Sequence, residues 1–152
     1  MSQGFDPREF LDCSCQRLRR AARDATRLYD RHLESTGLGA GGIGILARLL
    51  GASMMGSAGV RQSELADLIG VDQSTLSRNL KLLARQGLLT IRPDALDRRV
   101  RIVSITAKGR ARLDQVAPLW RAAQAELKKT LGAGTLGQLD RLLDRSIAAF
   151  AD

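Results

Sequence analysis

Residues 62–109 read QSELADLIGVDQSTLSRNLKLLARQGLLTIRPDALDRRVRIVSITAKG, and the order of elements in this stretch decides the fold. Residues 64–69 have the spacing of a short helix that Gly70 stops. Asp72 is an N-cap residue for a second helix, because a carboxylate there accepts from an unpaired first-turn amide. Leu76, Leu80, Leu83 and Ala84 give that helix one buried stripe, and Gly87 ends it. Two β-rich runs follow, 88–92 and 100–105, separated by the polar turn 93–99. Thr106 then caps another helix. Two short helices, a hairpin with a basic tip and a capped helix start make a winged helix-turn-helix. That shape lays one helix in a DNA groove and a hairpin beside it, so it points at DNA binding rather than at a reaction.

Outward from this core the chain turns helical. Residues 7–36 read as one long helix, with Phe10, Leu11, Leu18, Leu28, Tyr29 and Leu33 at helical spacing. Pro7 suits its first turn, where the missing N–H is not needed. The glycine-rich stretch 37–44 ends it. Ile45, Leu46, Leu49 and Leu50 form a short second helix, and 51–59 reads as a small-residue loop with Met54 and Met55 as its apolar contacts. After Thr106 a helix runs to about Lys129 with a kink at Pro118, and 132–134 breaks it. A last amphipathic helix carries Leu136, Leu139, Leu142, Leu143, Ile147 and Phe150. The expected fold is mainly α with a small β-hairpin wing, one domain over 1–152. Residues 43–105 are its winged helix-turn-helix core, flanked by dimerisation helices 7–36 and 107–150. Such long amphipathic arms are poorly covered by a small core, which suggests a homodimer.

Composition agrees. Aromatics make up 3% of the 152 residues against 44% hydrophobic in total, so the core is aliphatic. A formal net charge of +8 suits a polyanion partner. No apolar signal segment opens the chain and no run reaches the ~20 apolar residues of a membrane span, so a cytoplasmic protein without a membrane partner is expected. His32 is the only histidine, which excludes a histidine-rich metal site. The glycines of 37–44 follow a helix rather than a strand, so they are no phosphate-binding loop. No cofactor is implied.

Ser74, Ser77, Arg78, Lys81 and Arg85 share the face of the second core helix opposite its leucines. Gln73, Ser74, Thr75, Ser77 and Arg78 lie towards its N-terminal end, the part that approaches base edges in a helix-turn-helix. Arg78 suits bidentate pairing with guanine and Gln73 suits adenine. Ser74, Thr75 and Lys81 suit phosphates. At the hairpin tip, Arg98 and Arg99 suit a narrow minor groove. Asp97 either holds the Arg99 side chain or shapes the turn. The alternative for the helix is an ordinary solvated face, and for the wing a generic basic turn.

The segment SELADLIGVDQSTLSRNLKLLARQGLL, the DRR of the wing and the following ITAKG resemble the DNA-binding core of the MarR family of bacterial transcriptional regulators. The family's Asp-x-Arg wing pattern falls on Asp97 and Arg99, and its hydrophobic-Thr-x-x-Gly on Ile105, Thr106 and Gly109. The resemblance implies a homodimer on a near-palindromic double-stranded operator, usually a repressor released by a ligand or by oxidation. This chain departs from the family at 41–44 and 51–59, which border the usual effector cleft.

CQRLRRAARDATRLY resembles the first helix of the organic-hydroperoxide-sensing branch of that family. This places a reactive cysteine at Cys15 and a tyrosine at Tyr29. Two positions apart on one helix, Cys13 and Cys15 point about 200° apart, so a disulfide between them needs local unwinding. The helix start and the flanking arginines suit a nucleophilic sulfur. Three readings stay open: thiol-based sensing of hydroperoxide at Cys15, inert packing cysteines in a repressor answering a small molecule, and binding of a soft metal or metalloid. A cysteine peroxidase needs a base beside the thiol, and the lone His32 lies 17 residues on from Cys15. A winged helix used only for protein contacts is a further alternative that the basic wing opposes.

Overall fold

A computed structural model describes residue 11 and residues 13–150. In chain order its elements are α1 (Ser14–Leu33), a 3-10 turn (Glu34–Thr36), α2 (Ala40–Met54), β1 (Val60–Arg61), α3 (Gln62–Ile69), α4 (Gln73–Arg85), β2 (Leu89–Pro93), β3 (Arg101–Ile105), α5 (Ala107–Leu131) and α6 (Ala133–Ala149). The expected helix start at Pro7, and Phe10 with it, lies outside the described residues. The backbone contacts group into two compact units, Leu33–Trp120 and the residues up to His32 taken with those from Arg121 onward.

Leu33–Trp120 is a winged helix. Its sheet is antiparallel in the order β1-β3-β2, with Val60 opposite Val103 and Leu89 opposite Ile105. Strand β1 is an addition to the hairpin expected from sequence, since two residues carry no alternation to read. The core is aliphatic: Ile45, Leu46, Leu65, Leu76, Leu80, Leu83, Leu88, Val103 and Val116 are fully buried. Helix α4 ends on Gly87 (φ +72°), whose N–H donates to Ala84 O while Leu88 N–H donates to Leu83 O. This paired closure needs a left-handed residue, which glycine adopts without a Cβ penalty.

Helix α2 departs from expectation at both ends. It starts at Ala40 inside the glycine-rich stretch and runs on through Gly51 to Met54. Each interior glycine costs up to ~1 kcal/mol relative to alanine. Burying Ile43, Ile45, Leu46 and Leu49 returns ~1.5–3 kcal/mol apiece, so packing overrides the local preference. Met54 and Met55 are not apolar contacts: they are 77% and 84% exposed. Helix α5 continues as one element through Pro118.

The start of α5 is fixed to the end of α4. Thr106 Oγ1 accepts from Gly109 N–H (3.0 Å) and donates to Gly87 O (2.7 Å), while Thr106 N–H donates to Leu88 O (3.1 Å). Gly109 is buried here, and a Cβ on it would lie 2.1 Å from Leu88 O. The Thr-x-x-Gly pattern is therefore a staple with a steric condition attached.

In the other unit, Leu28 and Ala123 are buried, but α6 buries nothing. Leu18, Leu142, Ile147 and Phe150 are all at least half exposed. Glu126 on α5 accepts from Arg31 (3.1 Å) and pairs with His32 Nε2 (2.5 Å) on α1. The His32 hydrogen bond holds the Glu126 carboxyl below the ordinary carboxylate range, and the charges of His32 and Arg31 add to this. Burial raises the Tyr29 phenol, with Asp140 adding to it. No single described helix is long and apolar enough to cross a membrane.

Candidate nucleic-acid interface

Helix α4 is amphipathic because its sequence is. Leu76, Leu80 and Leu83 are buried, while Gln73, Ser74, Arg78, Lys81 and Arg85 are exposed. Thr75 and Ser77 are half-buried at the margin of that outer face.

The first turn of α4 is tied to its cap. Asp72 Oδ1 accepts from Thr75 N–H (2.8 Å) and Ser74 Oγ (2.5 Å), and Oδ2 accepts from Thr75 Oγ1 (2.7 Å). Arg78 folds back over the same turn, donating to Ser74 O and Thr75 Oγ1, both at 3.4 Å. The hydroxyls assigned to phosphates thus already spend their protons on Asp72. A phosphate only accepts, so each must turn its O–H away from Asp72 to hold one.

The Ser74 and Thr75 hydroxyls, followed by the Thr75 amide, push the Asp72 carboxyl far below its ordinary value of 3.8. Asp94 is lowered in the same direction by the Leu96 and Asp97 amides. With Glu126, three carboxylates are depressed in the folded state. Their stabilisation is fully present above their ordinary values and is lost as pH falls through the lower folded values. Melting temperature should therefore be level near neutrality and fall below about pH 4. Asp72→Asn should melt lower than wild type at pH 7 and lose less on acidification. Parallel pH profiles for the two proteins in thermal melts would contradict this.

The wing turn is built by two aspartates. Asp94 Oδ1 accepts from Leu96 N–H (2.8 Å) and Asp97 N–H (3.1 Å), and Asp94 N–H donates to Val100 O (2.9 Å). Asp97 Oδ1 accepts from Arg99 N–H (2.9 Å), so it meets the Arg99 backbone rather than its side chain. Asp94 went unassigned from sequence, although an aspartate two and three residues before turn amides is a readable signal. The result is a fixed tip with Leu96 99% exposed and Arg98 and Arg99 in solvent. Among the described residues no carboxylate pairs with Arg98, Arg99 or Arg101.

The cysteines stand apart from this surface in the chain. Cys13 is half-buried and precedes the helix; its carbonyl accepts from Gln16 and Arg17 N–H, starting α1. Cys15 is exposed in the first turn. The two therefore do not both lie on a continuous helix, and the 200° separation does not apply to them. Tyr29 is 14 residues along the unbroken α1 from Cys15, roughly 21 Å at 1.5 Å per residue. Within one chain they do not meet.

A sequence profile of the MarR family matches residues 47–100. The transcriptional regulator MosR of M. tuberculosis, solved in complex with DNA, is 36% identical with a TM-score of 0.76, over 92% of this chain and 97% of that one. A MarR variant from E. coli, complexed with operator DNA, is 24% identical with a TM-score of 0.77, over 93% and 99%. BpsR of Bordetella bronchiseptica, described with regulation of its DNA binding by 6-hydroxynicotinic acid, is 20% identical with a TM-score of 0.75, over 90% and 94%.

Proposed function

The chain belongs to the MarR family of DNA-binding transcriptional regulators, and on that premise we propose that it is a homodimeric repressor, released from a near-palindromic operator by an effector. The observation that carries this reading is the exposed face of α4, with Arg78 and Lys81, beside a wing whose Arg98 and Arg99 have no acid partner among the described residues. The uncovered apolar residues of α1 and α6 support the dimer. The two α4 helices would enter successive major grooves about one helical turn apart. Arg78 and Gln73 would meet bases, Ser77 would sit beside them, and Ser74, Thr75 and Lys81 would hold phosphates. Arg98 and Arg99 would serve the minor groove on a turn shaped by Asp97.

For release, the exposure of Cys15 supports thiol sensing. A hydroperoxide would transfer its terminal oxygen to Sγ: the O–O bond breaks, an S–O bond forms, and a sulfenic acid and an alcohol result. A repressor answering a small molecule, with structural cysteines, is the second reading. It is supported by the likeness to BpsR, whose DNA binding is described as regulated by a small organic acid. The one histidine supplies no base beside Cys15 for peroxidase turnover. His32 is engaged with Glu126 and lies roughly 25 Å from Cys15 along α1.

The test is fluorescence anisotropy on DNA from upstream of the protein's own gene, with and without stoichiometric organic hydroperoxide. Arg78→Ala should weaken binding by about 1–3 kcal/mol, roughly fivefold to 150-fold, and relax preference at one base position. If affinity and preference both survive, α4 does not read through Arg78. Peroxide should release wild type and leave Cys15→Ser bound. Release of both, or of neither, counts against Cys15 as the sensor.

A further inference from the structure

A cleft of about 310 Å³ opens between the first turns of α3 and α4 and the tip-side end of β3, where the wing turn re-enters the strand. Gln62, Ser63, Gln73, Arg99, Val100 and Arg101 line it. Every polar side chain in that set can donate a hydrogen bond, and none is a carboxylate. Arg99 and Arg101 bring two positive charges with no ion-pair partner among the described residues. Two like charges around one recess raise each other's energy unless an anion enters. Of the consecutive wing arginines, Arg98 takes no part in the lining, while Arg99 does.

The geometry points to a seat for one phosphate group beside the tip-side end of β3, held by Arg99 and Arg101 with Ser63 and the two glutamines, and occupied by a DNA backbone phosphodiester. This rests on the DNA-binding reading above and refines it. Arg101, which the face-by-face reading of sequence leaves out, becomes a positioning residue. Arg99 is given to the backbone, and Arg98 alone is left to the minor groove. Gln73 shares in register rather than only in reading a base.

The experiment uses the full-length protein and two duplexes of unrelated sequence. Anisotropy is followed across a salt series for wild type, Arg101→Ala, Arg101→Lys and the charge-matched control Arg23→Ala. A phosphate contact predicts that Arg101→Ala weakens both duplexes by the same factor. It also predicts that the slope of log affinity on log salt falls by about one per protomer, with partial rescue by lysine and no comparable change in Arg23→Ala. An unchanged slope, a loss confined to one duplex, or an equal effect of Arg23→Ala overturns the seat. Melts in inorganic phosphate against chloride at equal ionic strength separate the two sources of phosphate. If inorganic phosphate stabilises wild type through Arg101 while the DNA slope is unchanged, the seat serves a free anion and the assignment to DNA is overturned. If wild type binds DNA and only Arg78→Ala weakens it, the seat fails alone. If wild type binds neither duplex nor the upstream DNA, the DNA-binding reading fails with it.

Discussion

Gly109→Ala should be the most damaging single methyl group in this protein. Its Cβ would stand 2.1 Å from Leu88 O and 2.8 Å from Ile105 Cγ1. The first of these is backbone, held in place by the Thr106 amide, so it cannot rotate aside as a side chain would. Relief requires separating the start of α5 from the end of α4, which breaks the staple and uncovers Leu88, a fully buried residue. Overpacking with loss of the staple should cost about 3 kcal/mol or more. In a chain of this size that lowers the melting temperature by roughly 10 °C. Gly44→Ala is the counter-case. It lies inside α2 with nothing within 4 Å of a new Cβ, so it should stabilise by up to about 1 kcal/mol. Thermal melts followed by circular dichroism decide both. Equal melting temperatures for Gly109→Ala and wild type would refute the steric account of the Thr-x-x-Gly pattern.

The second large effect is on affinity rather than stability. Two copies would carry twice +8, a formal +16, with wing arginines that pair with no acid among the described residues. If six to ten phosphates are neutralised, raising salt from about 50 to about 200 mM should weaken binding by about 10³-fold or more. A salt series on any duplex measures this. A flat response would mean that the basic surface serves protein contacts instead, and would remove the phosphate assignments of Ser74, Thr75 and Lys81 together with the seat at Arg101.

The part of the chain that could be read from sequence is the part whose elements carry their own punctuation. Helix α4 has Asp72 before it and Gly87 after it, so its limits were legible without knowing what it packs on. The wing was legible because β-rich runs flank a turn of polar residues. Helix α2 was legible only in its middle, at residues 45–50; its ends were not, since glycines at 41, 42 and 44 argue against a helix locally and the burial of Ile43, Ile45 and Leu46 carries it through them. Strand β1 has two residues and takes its identity from pairing with β3. At the interface, residue types on one helical face could be assembled by counting. The neighbourhood of Gln62, Gln73 and Arg101 could not, because it depends on the fold bringing three segments to one recess. The double bonding of Ser74 and Thr75 to Asp72 was hidden for a similar reason: a capping residue was evident, but not how many donors it would collect.

The wing is an excursion whose two ends touch. Leu88 O accepts from Thr106 N–H where the chain leaves for β2 and where it returns from β3, and Gly87 O receives the Thr106 hydroxyl beside it. The closure of this loop is therefore fixed at its root, independently of what lies between. Even doubling the length of a flexible loop costs only about 0.6 kcal/mol in closure entropy. Residues inserted or exchanged at the tip, around Leu96, should leave α4 and α5 in register with one another. How deep the hairpin reaches is thus a property that can vary while the helix that stands beside it stays where it is.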